Sequence, residues 1–310
     1  MYDNYGGIKM TDKKSKPLFS IIIPMKNSEK YIKCALDSIS SQSYDDYEII
    51  VIDDDSSIND KSKDILQNWK KKHKDIVVKT FSTDESSRGP GGARNIGLDN
   101  AEGKYIIFLD SDDKINKDAL LNIYDAIKNN PNTDIFVLGY QLTRLDANEN
   151  PVRTFNSNAG KLQESRFYQI GVNTAGSIWN TCIKKSLFEG RNGKTPVRFK
   201  PNCIFEDLPT KVQLFTRSKQ NIKSVPHMTH TQFSRPRKSI TGNLEFRDMA
   251  RLINANKEIA NLKEEVEDKR DKMYINVRMA LVPAILSWFV SKCIRNKIDR
   301  IKNKDEIEIC

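Results

Sequence analysis

Residues 104–113 read Lys-Tyr-Ile-Ile-Phe-Leu-Asp-Ser-Asp-Asp, an apolar run that stops in three carboxylates within four residues. An uninterrupted apolar run opened by Gly103 fits a strand buried on both faces, as in parallel sheets. Ligands of such sheets bind outside the carboxyl ends of the strands, where Asp110, Ser111, Asp112 and Asp113 would emerge. Carboxylates this close raise one another's pKa unless a cation offsets them. A hard divalent ion takes oxygen ligands and commonly completes its shell with substrate phosphates. Asp-Ser-Asp therefore suggests a metal holding a diphosphate. The same residues also read as a turn capping a helix that begins near Asn116.

The pattern recurs upstream. Residues 19–24 form an apolar run ending at Pro24, residues 29–41 carry helical spacing, and residues 47–53 form a second apolar strand running into Asp53, Asp54 and Asp55. A helix over 61–73 and a strand over 76–81 follow, then the glycine-rich stretch 86–95 leading into another helix. Strands alternating with helices predict an α/β fold with a mostly parallel, Rossmann-like sheet flanked by helices. Turn chemistry explains any one polar cluster at a strand end. Three such clusters at ends that converge on one crevice point to a nucleotide site.

Beyond this half the signals thin. Residues 133–142 read as a strand, 148–165 are weakly patterned, 176–184 read as a strand or edge, and Phe205-Glu-Asp-Leu leads into a helix. Residues 245–272 read as a charged helix, and 272–300 as a second helical pattern interrupted by Pro283. No run approaches the roughly 18 uncharged apolar residues of a membrane span. The polar start, residues 1–17, reads as a disordered leader without a signal core, which predicts a cytoplasmic protein. Five cysteines without paired spacing read as reduced thiols. The net charge of +10 favours a polyanionic partner. Neither interleaved aromatics nor a reader motif accompanies the basic residues, so nucleic acid is not expected.

Taken together, Phe19-Ser-Ile-Ile-Ile-Pro24, Asn27, Ile50-Val-Ile-Asp-Asp-Asp-Ser56, Ala93-Arg-Asn-Ile-Gly97 and Phe108-Leu-Asp-Ser-Asp-Asp113 resemble family 2 glycosyltransferases of the GT-A fold. The resemblance covers about residues 18–242. Within the family, 88–95 and 101–116 are most similar to bacterial wall teichoic acid β-N-acetylglucosaminyltransferases. It divides the chain into the leader, a GT-A domain over 18–242 and a C-terminal helical appendage over 243–310.

The resemblance implies roles at the matching positions. Asp54 would accept a hydrogen bond from uracil, Pro24 and Asn27 would line the base and ribose, and Arg94 would be a cation near the nucleotide. Asp110, with Ser111, would lie on the ribose side, and Asp112 would ligate Mn²⁺ or Mg²⁺. Asp207 of the Glu206-Asp207 pair would be the catalytic base; on its own the pair also reads as a helix N-cap. Residues 227–241 resemble a flexible loop closing over the diphosphate, with Arg235 or Arg237 and Ser239 on phosphate oxygens and His230 as a further metal ligand. The family's aromatic pair before the arginine is replaced by Thr229, His230 and Thr231.

The expected activity is inverting, metal-dependent transfer of a sugar, N-acetylglucosamine as the single best choice, from a UDP-sugar to a surface-polymer hydroxyl. A protein acceptor, a nucleotidyltransferase and a non-catalytic nucleotide-sugar-binding module are the alternatives. The acceptor would be polymeric or lipid-linked and polyanionic. The apolar, basic-flanked stretch 273–300 would dock on the catalytic domain, associate with a second copy, or touch the inner face of the cell membrane.

Overall fold

The computed structural model describes residues 16–172, 177–190, 195–218, 221–235, 245 and 248–305, the last eleven as backbone. Strands β1 (Phe19–Met25), β2 (Tyr47–Asp53), β3 (Val78–Ser82) and β4 (Tyr105–Phe108) form its parallel half, in the order β3-β2-β1-β4. The short β5 (Lys114–Ile115), β6 (Ile135–Leu145), β7 (Pro151–Ser157), β8 (Thr181–Lys184) and β9 (Ile222–Ser234) complete a nine-stranded mixed sheet. β8 runs antiparallel to both β4 and β6, whereas β6 and β9 are parallel.

Side chains alternate across a strand, so each apolar run feeds two cores. Ile21 and Ile23 face one cluster, and Ile22 faces the other. Helices α1 (Ile32–Ser40), α2 (Ser62–Lys72) and α4 (Ala119–Asn129) cover the first face through Leu36, Trp69 and Ile123. The second face is covered by α3 (Pro90–Asn100), α5 (Asp207–Arg217), α6 (Met249–Glu265) and α7 (Lys269–Asp305). Leu252, Ile259, Ile275 and Phe289 share a core with Ile22 and Ile50. The expected appendage is thus a layer of the same fold.

Several local expectations change. Residues 148–165 contain β7, an edge strand whose outward residues are exposed and so lack the alternation that marks a half-buried strand. Residues 227–234, expected in a flexible loop, belong to β9, a 13-residue strand hydrogen-bonded to β6 along most of its length. α7 continues through Pro283 because buried residues on both sides, Ile275 and Phe289, hold it to the core across the lost hydrogen bond. Its window from Lys269 to Ile294 is long and apolar enough to cross a membrane by length and composition, contrary to the sequence reading. In the fold one stripe of it is buried, and Met273, Trp288 and Ile294 are exposed.

Candidate functional site

Where the strand order reverses between β1 and β4, the chain leaves the two strands in opposite directions and opens a crevice at their carboxyl ends. Pro24 pairs in register with Ile52 at the rim. Just beyond, Asn27 takes a left-handed backbone (φ 48°) and latches the β1 and β2 loops together. Its amide donates to Ser56 Oγ (3.0 Å), and its Oδ1 accepts from the Ser57 amide (2.8 Å). Buried Asp54 anchors the next loop: its Oδ1 accepts from the Gly89 amide (2.8 Å) and the Thr83 hydroxyl (3.1 Å). Both bonds fall on one carboxylate oxygen, which leaves the other for a donor such as a base N–H.

The glycine-rich stretch serves contact between protein segments. Gly89 has φ +90°, a conformation that costs other residues strain. A Cβ at Gly91 would stand 2.6 Å from the Lys200 carbonyl and 2.9 Å from Glu206 Cγ. Its missing side chain lets the start of α3 lie against the segment that carries Glu206 and Asp207.

Arg94 joins those segments. Its Nη1 donates to Glu206 Oε1 (2.5 Å), its Nη2 to Asp110 Oδ1 (3.2 Å), and its guanidinium lies 5.6 Å from the Phe199 ring centre. The cation expected near the nucleotide is thus committed to two carboxylates, tying the end of β4 to the start of α5. Asp207, the first residue of α5, is partly exposed. Burial, and then the charge of Glu206, push its carboxyl up to about 7, while Arg94 and Lys211 act in the opposite direction. Such a group takes up and releases protons near neutrality. Phe205 immediately before the pair has φ 66°, a strained conformation for an aromatic residue, and its ring meets Phe289 of α7 at 6.3 Å.

The acidic turn follows β4. Ser111 is buried and its hydroxyl meets Ser28 Oγ at 2.6 Å. Asp113 is also buried and accepts from the Phe233 amide (2.8 Å). Asp112 accepts from Arg235 Nη1 at 2.7 Å. Burial first, and then neighbouring carboxylates, raise Asp112 and raise Asp113 further. Arg235 rests 4.2 Å from the Tyr31 ring centre, with Glu149 Oε2 3.9 Å from its Nε, and Tyr31 donates to Glu149 Oε1 (2.7 Å). Arg237 and Ser239 lie outside the described residues.

His230 is buried in β9, with Thr229 Oγ1 2.9 Å from its Nδ1 and the Trp179 ring 6.1 Å away. Burial pushes its pKa down to about 4, so the imidazole is neutral at ordinary pH.

The donor chemistry fits a hard cation. Asp110 and Asp112 are partly exposed oxygen donors, and the raised Asp112 and Asp113 mark a cluster with more negative charge than it holds easily. Arg235 already offsets part of that charge. Among the described residues no three His, Cys, Asp or Glu side chains are grouped to hold a metal by themselves. The fit is to an ion that shares its shell with substrate oxygens.

Residues 20–202, more than half of the chain, match the sequence pattern described as Glycosyl transferase family 2. The chain belongs to that family. A poly(ribitol-phosphate) beta-glucosyltransferase of Bacillus spizizenii is 46% identical over 113 residues, 36% of this chain and 17% of that protein. TarS of Staphylococcus aureus, a poly(ribitol-phosphate) beta-N-acetylglucosaminyltransferase, is 39% identical over 104 residues, 33% of this chain and 17% of TarS. The matched segment is therefore a small part of these longer relatives. The crystal structure of TarS 1–349 in complex with UDP-GlcNAc superposes with a TM-score of 0.60 at 20% identity, covering 90% of this chain and 88% of that one. The mannosyltransferase PcManGT of Pyrobaculum calidifontis, in complex with GDP-Man and Mn²⁺, gives 0.61 at 17% identity, covering 92% and 75%. At these identities the structural likeness shows the GT-A fold.

Three residues around the site escaped the sequence reading. Lys211 lies one helical turn after Asp207, a spacing that could have flagged it. Tyr31 and Glu149 reach Arg235 from separate elements and carry no local signal.

Proposed function

We propose that this family 2 member is an inverting glycosyltransferase that moves a sugar from a UDP-sugar to a hydroxyl of an anionic surface polymer. The observation that carries the proposal is the bridge made by Arg94, which brings Asp110 of the nucleotide side within one guanidinium of Glu206 and its neighbour Asp207. Asp54 would hold the base, Pro24 and Asn27 would border it, and Asp110 would face the ribose. Asp207 would take the proton of the acceptor hydroxyl as it attacks the anomeric carbon opposite the leaving nucleotide. A carboxyl held near 7 is suited to accepting that proton at neutral pH. Mn²⁺ or Mg²⁺ held by Asp112, with Asp110 beside it, would supply positive charge for the diphosphate. Arg235, whose planar fork matches phosphate oxygens, would move from Asp112 to the donor.

N-acetylglucosamine is the proposed sugar because the chain resembles TarS, and glucose, which the Bacillus relative's name gives, is the competing choice. The +10 charge supports a polyphosphate acceptor. Work at the cytoplasmic face of a membrane, contact with lipid through 273–300 and self-association through the C-terminal helices are proposals of the same standing. Flotation with anionic vesicles and light scattering test them.

The decisive experiment incubates the protein with Mn²⁺, a panel of UDP- and GDP-sugars and poly(ribitol phosphate), and measures released nucleotide and polymer-bound sugar. UDP-dependent transfer with inversion, lowered roughly 10²–10⁴-fold by Asp207→Asn, is expected. Transfer unaffected by Asp207→Asn refutes the assignment of the base.

A further inference from the structure

Arg144 of β6 and Arg153 of β7 stand directly opposite each other in the antiparallel register. Direct partners project to the same face, so two guanidiniums share one spot, an arrangement that destabilises a sheet. Both are exposed, and among the described residues neither has a carboxylate within ion-pair distance. Other arginines of this chain, Arg94, Arg166, Arg198, Arg235 and Arg251, each have one. The pair shares Phe155 instead, whose ring centre lies 4.4 Å from the Arg153 guanidinium carbon and 5.7 Å from that of Arg144. β7 fills no core, since Pro151 to Asn156 are all exposed. The ring serves the two cations: its face attracts a guanidinium and fixes a long side chain. Charge on a free edge also deters strand pairing, which accounts for Arg153. It does not account for Arg144, whose strand is paired on both sides there, with Arg153 and with Ser234 of β9.

The hairpin that carries the pair touches the candidate site at both ends. At its tip Glu149 accepts from Tyr31 and lies beside Arg235, the residue on Asp112. At its root Tyr140, on the same face of β6 as Arg144, sets its ring against Trp179 at 4.8 Å. Trp179 comes just before β8, which lies antiparallel beside β4, so it stands at the edge of the sheet where β4 delivers Asp110. Four residues of extended strand separate Arg144 from Tyr140 by about 13 Å. A guanidinium fork matches the oxygens of a phosphodiester, and two forks side by side suit a chain that carries one after another. Such a chain would also offset the mutual repulsion of the pair.

We propose that Arg144, Arg153 and Phe155 form a surface that holds a phosphodiester-linked polymer and leads it along β6, past Tyr140 and Trp179, to the crevice bordered by Asp110. The proposal rests on the reading of the acceptor as an anionic polymer, and its test separates the two.

The full chain is compared with the double variants Arg144→Gln with Arg153→Gln and Arg144→Lys with Arg153→Lys, and with Arg153→Gln alone. Anisotropy follows the binding of labelled poly(ribitol phosphate) from about 50 mM to about 200 mM salt, with dextran as the uncharged control. The double glutamine variant should bind about tenfold more weakly, and its slope of log affinity against log salt should flatten by about two. Arg153→Gln, a change on an exposed edge, should flatten it by about one and serves if the double variant fails to fold. Lysine keeps the charge and loses the fork, so the double lysine variant should keep the slope and lose part of the affinity. UDP affinity should be unchanged, and in turnover the loss should fall on KM for the polymer, with kcat held. Thermal midpoints of the glutamine variants should not drop, because a like-charged pair has been removed.

Undiminished polymer binding in the glutamine variants, or an unchanged salt slope, overturns this surface and leaves the anionic acceptor standing. Absence of polymer binding in the unmodified chain removes the anionic acceptor and this surface with it. A loss confined to flotation with anionic vesicles, with polymer binding intact, assigns the arginines to a lipid surface and likewise overturns the proposal.

Discussion

Replacing Arg94 by methionine tests the arrangement on which the site depends. The substitution keeps an apolar stem against Phe199 and removes the charge that meets Glu206 at 2.5 Å and Asp110 at 3.2 Å. Glu206 is 5% exposed, so losing its partner leaves a buried carboxylate uncompensated, a change that costs about 3–5 kcal/mol. Asp110 is about a third exposed, and its share is at most about 1 kcal/mol. The retained apolar stem places the expected loss near the lower bound, about 3 kcal/mol.

The loss should depend on pH. Asp207 already stands at about 7, and without Arg94 it rises further. A carboxyl raised above its unfolded value binds more protons in the native state, so native stability falls as pH rises through the interval between the two values. The deficit of Arg94→Met should therefore be larger near pH 8 than near pH 5. Urea unfolding followed by tryptophan fluorescence at both pH values measures it, with an unchanged slope showing that the same surface is exposed. Adding Glu206→Gln should recover part of the loss, because the orphaned charge is then gone. A deficit below about 1 kcal/mol, or one that does not change with pH, refutes the buried bridge.

Two further substitutions probe the frame and the acidic turn. Glu48 is 2% exposed and accepts from Ser20 Oγ (2.6 Å) and the Glu102 amide (2.6 Å) while pairing with Lys79 (2.8 Å). Against the cost of burial, the Lys79, Ser20 and Glu102 bonds hold its carboxyl below the ordinary range. Its contribution is therefore present above the unfolded pKa and lost as pH falls through the folded one. Glu48→Ala should cost about 3 kcal/mol at neutral pH in urea unfolding and progressively less in acid. Asp112→Ala should weaken Mn²⁺ binding at least tenfold in calorimetry with UDP present, and it frees Arg235; unchanged binding would exclude Asp112 as a ligand.

The placement of much of the candidate site was legible because its residues follow strands whose apolar runs announce them. Asp54 and Asp110 sit directly after residues that must be buried on both faces, so strand direction alone carries them to one edge of the sheet. Asp207 was singled out only through the family resemblance, since a Glu-Asp pair opening a helix is otherwise an ordinary cap. β7 and the strand character of 227–234 were not legible. An exposed edge lacks periodicity, and the pairing of β9 with β6 joins segments that are distant in sequence.

The amino-acid order by itself determined the parallel half of the sheet, the two apolar faces and the acidic strand ends, because burial and period-two alternation are local properties of the chain. Only the tertiary structure decided which charges meet. Arg94 chose Glu206 across 112 residues, and Arg235 chose Asp112 across 123. A buried charge is tolerated only where a partner reaches it, and which partner reaches it depends on how helices and strands pack, a property no window of sequence contains.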